Sequence, residues 1–539
     1  LYFDTACMLI TLVLLGKFLE RQAKDRVRRD LDGFFDLQPA KVRLVTEAAP
    51  SGRYAAIDQL APGDWFIVES GEIVPADGRV ASGRAHLDES SLTGEPRPVF
   101  VNTGDPVKSG TRLIDGRVTA AAEKVGETTI LGQMIAIMTR SLGQKSRFEA
   151  RTDRMLQWFV PTIVLLAGGT GLVGAMAGLP LHQAVVRAVT VMVISCPCAL
   201  GVAIPMARLA GISLAGRRGI LVREFEAFER AGGIDTIVFD KTGTLTRGRW
   251  QLSRVACTPD HDPAAIVAWA AGLEQASEHE IARSIAAHAR DRGIAPARVT
   301  EVALHPDGIQ GRLNGKRVRI GNRRFAWADR DDPRLPPAAV DDGLTSHIYL
   351  SVDERPAAIL VFGDDVRTGV PTMVRALQRE SWELHLISGD GQGATRAVGR
   401  AIGLPTNQGN LLPAAKADYI DALNRRGRRV AMVGDGINDA PALARGHLAV
   451  AVYTGTGLAK AAAHITLMRG DPAQLVDFLP LAQRVNRKVI QNLWCAWAYN
   501  LISIPVAMSG LLTPLVAATA MLLSSMTVIG NTLLLLRRQ

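Results

Sequence analysis

Five apolar stretches, roughly 1–19, 157–178, 183–207, 491–510 and 514–536, are each long enough to cross a bilayer and so fix the outline of the chain. Only Leu179-Pro180-Leu181 separates the second from the third, and Leu511 to Thr513 the fourth from the fifth, so each pair reads as a helical hairpin. Such short turns lie on one side of the bilayer and the long polar blocks on the other. Arg21, Arg26, Arg28 and Arg29 follow the first stretch, and Arg537 and Arg538 the last, which assigns the polar blocks to the cytoplasm. The chain opens inside an apolar segment without an initiator Met, and reads as a sequence missing its front. Its 47% apolar and 21% charged content suits a mixed membrane and water-facing protein. A net charge of +10 would also suit a nucleic-acid binder, but here the basic residues flank membrane-like segments, which argues against that class. Cys7, Cys196, Cys198, Cys257 and Cys495 are too few and too scattered for a disulfide framework.

Two soluble blocks remain. The block 37–145 is rich in Val, Ile and Thr, with turns at Pro62-Gly63-Asp64, Asp77-Gly78, Thr93-Gly94-Glu95 and Thr103-Gly104-Asp105, and predicts a small β-rich domain. The block 212–485 alternates apolar runs with helical patterns. Ile234–Phe239, Ala357–Phe362, Leu384–Ser388 and Val430–Val433 are its best core strands, which predicts a doubly wound parallel sheet. A stretch over 251–354, richer in Ala, Arg and Asp and with β segments of its own near 301–321, reads as an insertion.

The chemistry begins at Asp240-Lys241-Thr242-Gly243-Thr244-Leu245-Thr246, directly after the apolar run Ile234–Phe239. A carboxylate at the C-terminal end of a buried strand stands where open α/β sheets bind ligands, and can attack a phosphoryl group. Downstream, Ser388-Gly389-Asp390 offers a hydroxyl, Lys416 a point charge, and Gly434-Asp435-Gly436-Ile437-Asn438-Asp439 two carboxylates suited to a hard cation. Each fragment alone has a bland reading: Lys416 as a solvated surface residue, Gly-Asp-Gly as a turn, Thr93-Gly94-Glu95 as a turn with an exposed acid. Cys196-Pro197-Cys198 lies within an apolar segment, where Pro opens the helix backbone. Its thiols are either inert packing at a kink or ligands for a soft cation on a transport path.

In this order the fragments resemble the P-type ATPases, pumps that phosphorylate themselves on an Asp. The resemblance implies a multidomain membrane protein: an α-helical transmembrane bundle, a β-rich actuator domain over 37–145, a haloacid-dehalogenase-like α/β phosphorylation domain over 212–250 and 355–485, and an inserted α+β nucleotide-binding domain over 251–354. It makes Asp240 the nucleophile, with Lys241, Thr242, Thr244, Ser388, Asp390 and Lys416 around it. It makes Glu95 the residue that positions the hydrolytic water, and Asp240, Thr242, Asp435 and Asp439 the holders of Mg²⁺. ATP is expected on Glu274, His279, Gly308, Ile309, Gly321 and Asn322. This chain departs from the family's Ser-Glu-His-Pro element with Glu280 in place of Pro, and from its Gly-x-Gly-Ile element with Pro306 in place of the first Gly.

Cys196-Pro197-Cys198 resembles the heavy-metal (P1B) branch. With Pro205, Tyr499, Asn500, Met521 and Ser524-Ser525 it resembles the monovalent copper subgroup, which implies Cu(I) held by Cys196, Cys198, Tyr499, Asn500, Met521 and Ser525. Thiolate and thioether donors suit that soft ion. The zinc and cadmium subgroup is expected to carry a Lys in the fourth span and Asp-Gly in the fifth, and neither is present. Asp4, at the outer end of the first span, matches an acidic residue of copper pumps, or is a solvated helix end. The partners implied are Cu(I) as substrate, the lipid bilayer of a bacterial inner membrane, and a soluble copper chaperone. Segment 513–536 leans toward the pumps that feed oxidase assembly. A membrane-tethered haloacid-dehalogenase phosphatase is the alternative from another class, but it usually carries a second acid where this chain has Thr242.

Overall fold

The computed structural model describes residues 7–8, 10–19, 21–22, 25, 36–47, 49–94, 97–144, 147–247, 251–275, 277, 280–305, 307–327, 345–435, 439–453 and 463–537. The chain divides into two compact units, one of Leu1–Gly233, Gly455–Arg469 and Gln474–Gln539, the other of Ile234–Thr454 and Gly470–Ala473.

In the first unit an antiparallel sheet runs in the order Ala49–Ala56, Lys41–Thr46, Trp65–Glu69, Arg112–Lys124, Asp77–Asp88, Val99–Val101, with Pro106–Val107 also paired to Asp77–Asp88. Phe66, Val68, Val80, Leu87, Leu113 and Val118 fill its core. The alternation of these residues with polar ones is what lets one face pack while the other meets water. The two long strands lie so close that glycine is required: a Cβ on Gly83 would stand 2.2 Å from Arg117 O, and one on Gly116 2.3 Å from Arg84 O.

The same unit holds the long apolar helices Arg147–Met176, Leu181–Ile194, Cys198–Arg217, Gln474–Met508 and Pro514–Arg537. Leu165, Leu172, Trp494, Leu501 and Leu523 are all more than 60% exposed, an apolar surface of the kind a lipid bilayer covers. Among the described residues, two stretches are long and apolar enough to cross a membrane, within Ile130–Met176 and Pro514–Leu536. The third stretch read from sequence, 183–207, is not one helix. It breaks between Ile194 and Cys198, so each part is short in apolar length. Gln474–Met508 is continuous for 35 residues, and its first half carries Arg484, Arg487 and Lys488.

In the second unit five parallel strands run in the order Asn407–Gln408, Glu383–Ile387, Thr236–Asp240, Val430–Gly434, Leu448–Val452. The central strand Thr236–Asp240 is buried along its whole length. A separate antiparallel sheet runs Gln251–Cys257, Arg355–Gly363, Thr345–Val352, Lys316–Gly321, Gly308–Leu313, Thr300–His305. One assignment changes here. Ala357–Phe362, expected in the parallel sheet, pairs with Gln251–Cys257 and Thr345–Val352 in the antiparallel one. Leu360 and Phe362 pack in the cluster that includes Ile266 and Ile285 from helices Pro263–Glu274 and Glu280–Asp291, while Ile359 and Val361 pack with Ala326 and Trp327 on the other face. A strand buried on both faces is apolar throughout, whichever kind of sheet it joins.

Candidate functional site: a buried carboxylate at the strand ends

Asp240 ends the central parallel strand and is 3% exposed. After it the chain turns sharply, with Thr242 extended and Gly243 left-handed (φ 77°), a conformation glycine adopts without strain. The turn is held from below: Arg367 donates from Nε to Thr244 O and Thr246 O, and from Nη2 to Gly243 O, each at 3.0 Å. Thr246 Oγ1 donates to Lys241 O at 3.0 Å. The Thr244 hydroxyl is buried without a hydrogen-bond partner.

Lys416, on helix Pro413–Arg425, donates to Asp240 Oδ1 at 2.6 Å and to Asp439 Oδ1 at 2.7 Å. All three side chains are buried. Burial, and then the charges of Asp439 and Asp435, push the Asp240 carboxyl up to about 7 against the pull of Lys416. The Asp439 carboxyl is also raised, first by burial. Burial pulls the Lys416 ammonium down, but the two carboxylates outweigh it and hold it above its ordinary value. Asp435 lies across from Gly243, whose added Cβ would stand 3.6 Å from Asp435 Cβ. Three carboxylates around one ammonium leave negative charge in excess, and hard oxygen donors of this kind fit a divalent cation such as Mg²⁺. Ser388 directly follows the neighbouring strand, and its Oγ accepts from Asp390 N at 3.1 Å. Lys241 and Asp390 form an ion pair.

Gly434 closes the adjacent strand against Asp439: a Cβ there would stand 2.6 Å from Asp439 Oδ2. Gly434→Ala is therefore expected to displace the Asp439 carboxylate and weaken Mg²⁺ activation of ATP turnover by about tenfold to a hundredfold. A Mg²⁺ titration of activity checks it.

Glu274 ends helix Pro263–Glu274 and lines a cleft of about 460 Å³ with Ser277, Arg283 and Arg290 among its walls. Burial pushes its carboxyl up to about 6. Gly308, Gly321 and Asn322 come together on the antiparallel sheet. Gly308 pairs with Gly321, and a Cβ on either would stand within 2.3 Å of a backbone oxygen. Asn322 bonds Asp307 Oδ1 at 2.9 Å and accepts from Phe325 N at 2.8 Å. Ile309 lies in the core. His279 lies outside the described residues.

In the membrane helices, Cys196 sits in the break before helix Cys198–Arg217, and it is disulfide-bonded there, against the expectation of unpaired thiols. Tyr499 and Asn500 stand on helix Gln474–Met508, and Asn500 lines a small apolar crevice with Pro197, Met155 and Phe159. The Tyr499 hydroxyl and Asn500 Oδ1 are buried with no hydrogen-bond partner. Buried polar atoms without partners in apolar surroundings are costly, which makes these two candidates for ligand contact. Met521 is half-buried and Ser525 buried on helix Pro514–Arg537. The Cys198 side chain, Glu95, Pro306 and Asp4 lie outside the described residues. The role of Arg367 has no sequence signal. Isolated polar residues carry no periodic or motif signal, and only their bonds to backbone oxygens reveal them.

Residues 36–139 match the model of the P-type ATPase actuator domain, and residues 234–447 that of haloacid dehalogenase-like hydrolases. The chain is 36% identical to "Copper-transporting ATPase 1" of Rhizobium meliloti (strain 1021), over 99% of this chain and 66% of that protein. It is 36% identical to "Copper-exporting P-type ATPase" of Mycobacterium tuberculosis (strain ATCC 25618 / H37Rv), over 99% of this chain and 70% of that one. The chain thus spans about two thirds of the length of these relatives. Among solved structures, a zinc-transporting PIB-type ATPase in an E2.Pi state matches with a TM-score of 0.64 at 28% identity, covering 99% of this chain and 87% of that one.

Proposed function

The chain belongs to the P-type ATPases, in their heavy-metal branch, and from that membership we propose that it exports Cu(I) across a bacterial inner membrane at the expense of ATP. The observation that carries this reading is the buried Asp240–Lys416–Asp439 cluster at the ends of parallel strands.

An Asp240 oxygen attacks the γ-phosphorus of ATP, the bond to the β-phosphate oxygen breaks, and ADP leaves. Lys416 neutralises charge on the transferring group. The Thr244 and Ser388 hydroxyls, each on a buried residue, are read as the groups that meet phosphoryl oxygens, and the unpartnered Thr244 hydroxyl supports that reading. Asp240, Asp435 and Asp439, with Thr242, would hold Mg²⁺, which supplies charge neutralisation for the phosphate. Glu95 takes a proton from the water that then opens the aspartyl phosphate.

The cargo is inferred from donor chemistry. Cys196 is disulfide-bonded in this structure, so it serves as a ligand only once reduced. Reduced Cys196 and Cys198, with Met521, then offer soft sulfur, and Tyr499, Asn500 and Ser525 neutral oxygen, which suits Cu(I) in low coordination. Zn(II) is better served by a carboxylate at the site, and this donor set contains none. The likeness to a zinc-transporting structure is thus read as a likeness of fold. A soluble copper carrier is the expected donor. The test is ATP-driven uptake of Cu(I), under reductant, into inside-out vesicles holding the protein; uptake of Zn(II) in place of Cu(I) would reassign the cargo.

Glu274, Ser277, Arg283 and Arg290 are read as the wall that meets the nucleotide. If the Glu274 carboxylate accepts from the adenine amino group, ATP affinity rises as pH increases through about 6 and levels off above it. Glu274→Gln flattens that dependence, as nucleotide titrations between pH 5 and 7 will show. The stability effect has the opposite sign. Folded Glu274 keeps its proton to about 6 against an ordinary value of 4.5, so the fold loses stability as pH rises across that window.

A further inference from the structure

Helices Gln474–Met508 and Pro514–Arg537 of the first unit carry two kinds of polar side chain, and their hydrogen bonds separate them. The first kind is saturated. Lys488 Nζ donates to Asn531 Oδ1, and Asn531 Nδ2 donates to Asn492 Oδ1 at 2.8 Å. Asn492 Nδ2 donates to Thr532 Oγ1 at 2.8 Å, and Thr532 Oγ1 to Val528 O at 3.0 Å. Asn492 and Thr532 are fully buried. An ammonium can only donate, so Lys488 orients both amides and aims the whole chain of donors one way. The second kind is Tyr499 Oη and Asn500 Oδ1, buried without partners. Between helices in lipid, packing and hydrogen bonds rather than the hydrophobic effect set the register. Three levels fix it here. Asn492 bonds Thr532 across the antiparallel pair. Four residues further along one helix and four back along the other, Ala496 and Val528 share a core cluster with Ala203. Fifteen residues from the bond on each side, Ala507 and Ala517 share another with Ile194. The same count puts Tyr499 and Ser525, each seven residues or about two turns from the bond, at one level.

We propose that Asn492 and Thr532 form a register lock that positions the cargo groups, setting Tyr499 across from Ser525 and, one turn on, Ser503 across from Met521. Ser503 is buried, and its Oγ donates to Tyr499 O at 2.6 Å. Asn492 and Thr532 are positioning residues: their polar atoms are engaged with each other, with Asn531 and with Val528, so they hold the ligand set without joining it. A slip of one residue moves a helix about 1.5 Å along its axis and turns its face by about 100°, which parts Tyr499 from Ser525. The inference rests on the reading of Tyr499, Met521 and Ser525 as cargo groups. The lock sets how much Cu(I) the pump needs, and leaves phosphorylation from inorganic phosphate, which needs no cargo, as it was.

The test compares wild type with Thr532→Val, which keeps the shape but removes the acceptor, Asn492→Leu, which removes the bond from the other helix, and Thr532→Ser, which keeps the hydroxyl. Two readings are the Cu(I) concentration for half-maximal labelling from ATP under reductant, and labelling from inorganic phosphate. The third is the cross-link between positions 499 and 525 in Tyr499→Cys/Ser525→Cys chains, with and without Thr532→Val, located by mass spectrometry. The cross-link is expected to form and to be lost with Thr532→Val. Thr532→Val and Asn492→Leu should need about tenfold more Cu(I), the scale of losing a residue that orients a metal ligand, with label from inorganic phosphate unchanged. Thr532→Ser should behave as wild type. A pair that does not cross-link, or does so equally with Thr532→Val, overturns the lock. A lost cross-link with an unchanged Cu(I) requirement overturns the positioning role. Loss of both kinds of label in Thr532→Val and Asn492→Leu overturns it as well, since the bond then serves the fold alone. A wild type whose label ignores Cu(I) overturns the cargo reading instead, and the cross-link still decides whether the lock exists.

Discussion

Lys416→Met is expected to slow phosphoenzyme formation by roughly a hundredfold to a thousandfold. Removing the cation from two buried carboxylates exposes each to the other, at a cost of about 3–5 kcal/mol. Lys416 is what pulls the Asp240 carboxyl down toward 7 against burial and Asp439, so without it the carboxyl moves higher still. A protonated Asp240 is no nucleophile. The pH profile of formation should therefore shift to the alkaline side in the variant, while a simple loss of fold would lower the rate at every pH. Single-turnover labelling between pH 6 and 9 separates the two. Circular dichroism shows whether the parallel sheet survives.

Cys196→Ser carries the other large effect. The change keeps the size and the break between Ile194 and Cys198, but replaces soft sulfur by a hard hydroxyl. Cu(I)-stimulated phosphorylation by ATP is expected to need more than about a hundredfold higher metal, beyond the effect of losing an outer-sphere partner. Phosphorylation from inorganic phosphate, which needs Asp240 and Mg²⁺ but no cargo, should persist. Loss of both reactions would mean that Cys196 serves the fold and not the metal.

The fold class was legible because its signals are strong and local. A carboxylate after a buried strand, a Cys-Pro-Cys inside an apolar run, and a Val- and Ile-rich block cut by glycine turns each follow from sequence pattern. Ala357–Phe362 shows where such reading stops. Its apolarity reports burial on two faces but not the partner strand, and pairing is decided by residues about a hundred positions away in Gln251–Cys257. The break in 183–207 was half legible. Pro197 announced a lost hydrogen bond, but two helices where one was expected follow from how the helix at Cys198 restarts. Arg367 was not legible at all, because it acts by gripping carbonyls of a turn more than a hundred residues earlier in the chain. Ile309 shows the converse: matching a nucleotide-contacting position did not reveal that its side chain is core.

Acid-stable labelling of the purified protein from γ-labelled ATP tests the central claim most directly, run with Cu(I) under reductant, with Zn(II), with a Cu(I) chelator, and with Asp240→Asn. The account predicts label that appears with Cu(I), vanishes with the chelator and is absent in Asp240→Asn. Label driven by Zn(II) alone would contradict the cargo, and a folded protein that takes no label under any of these conditions would contradict the pump.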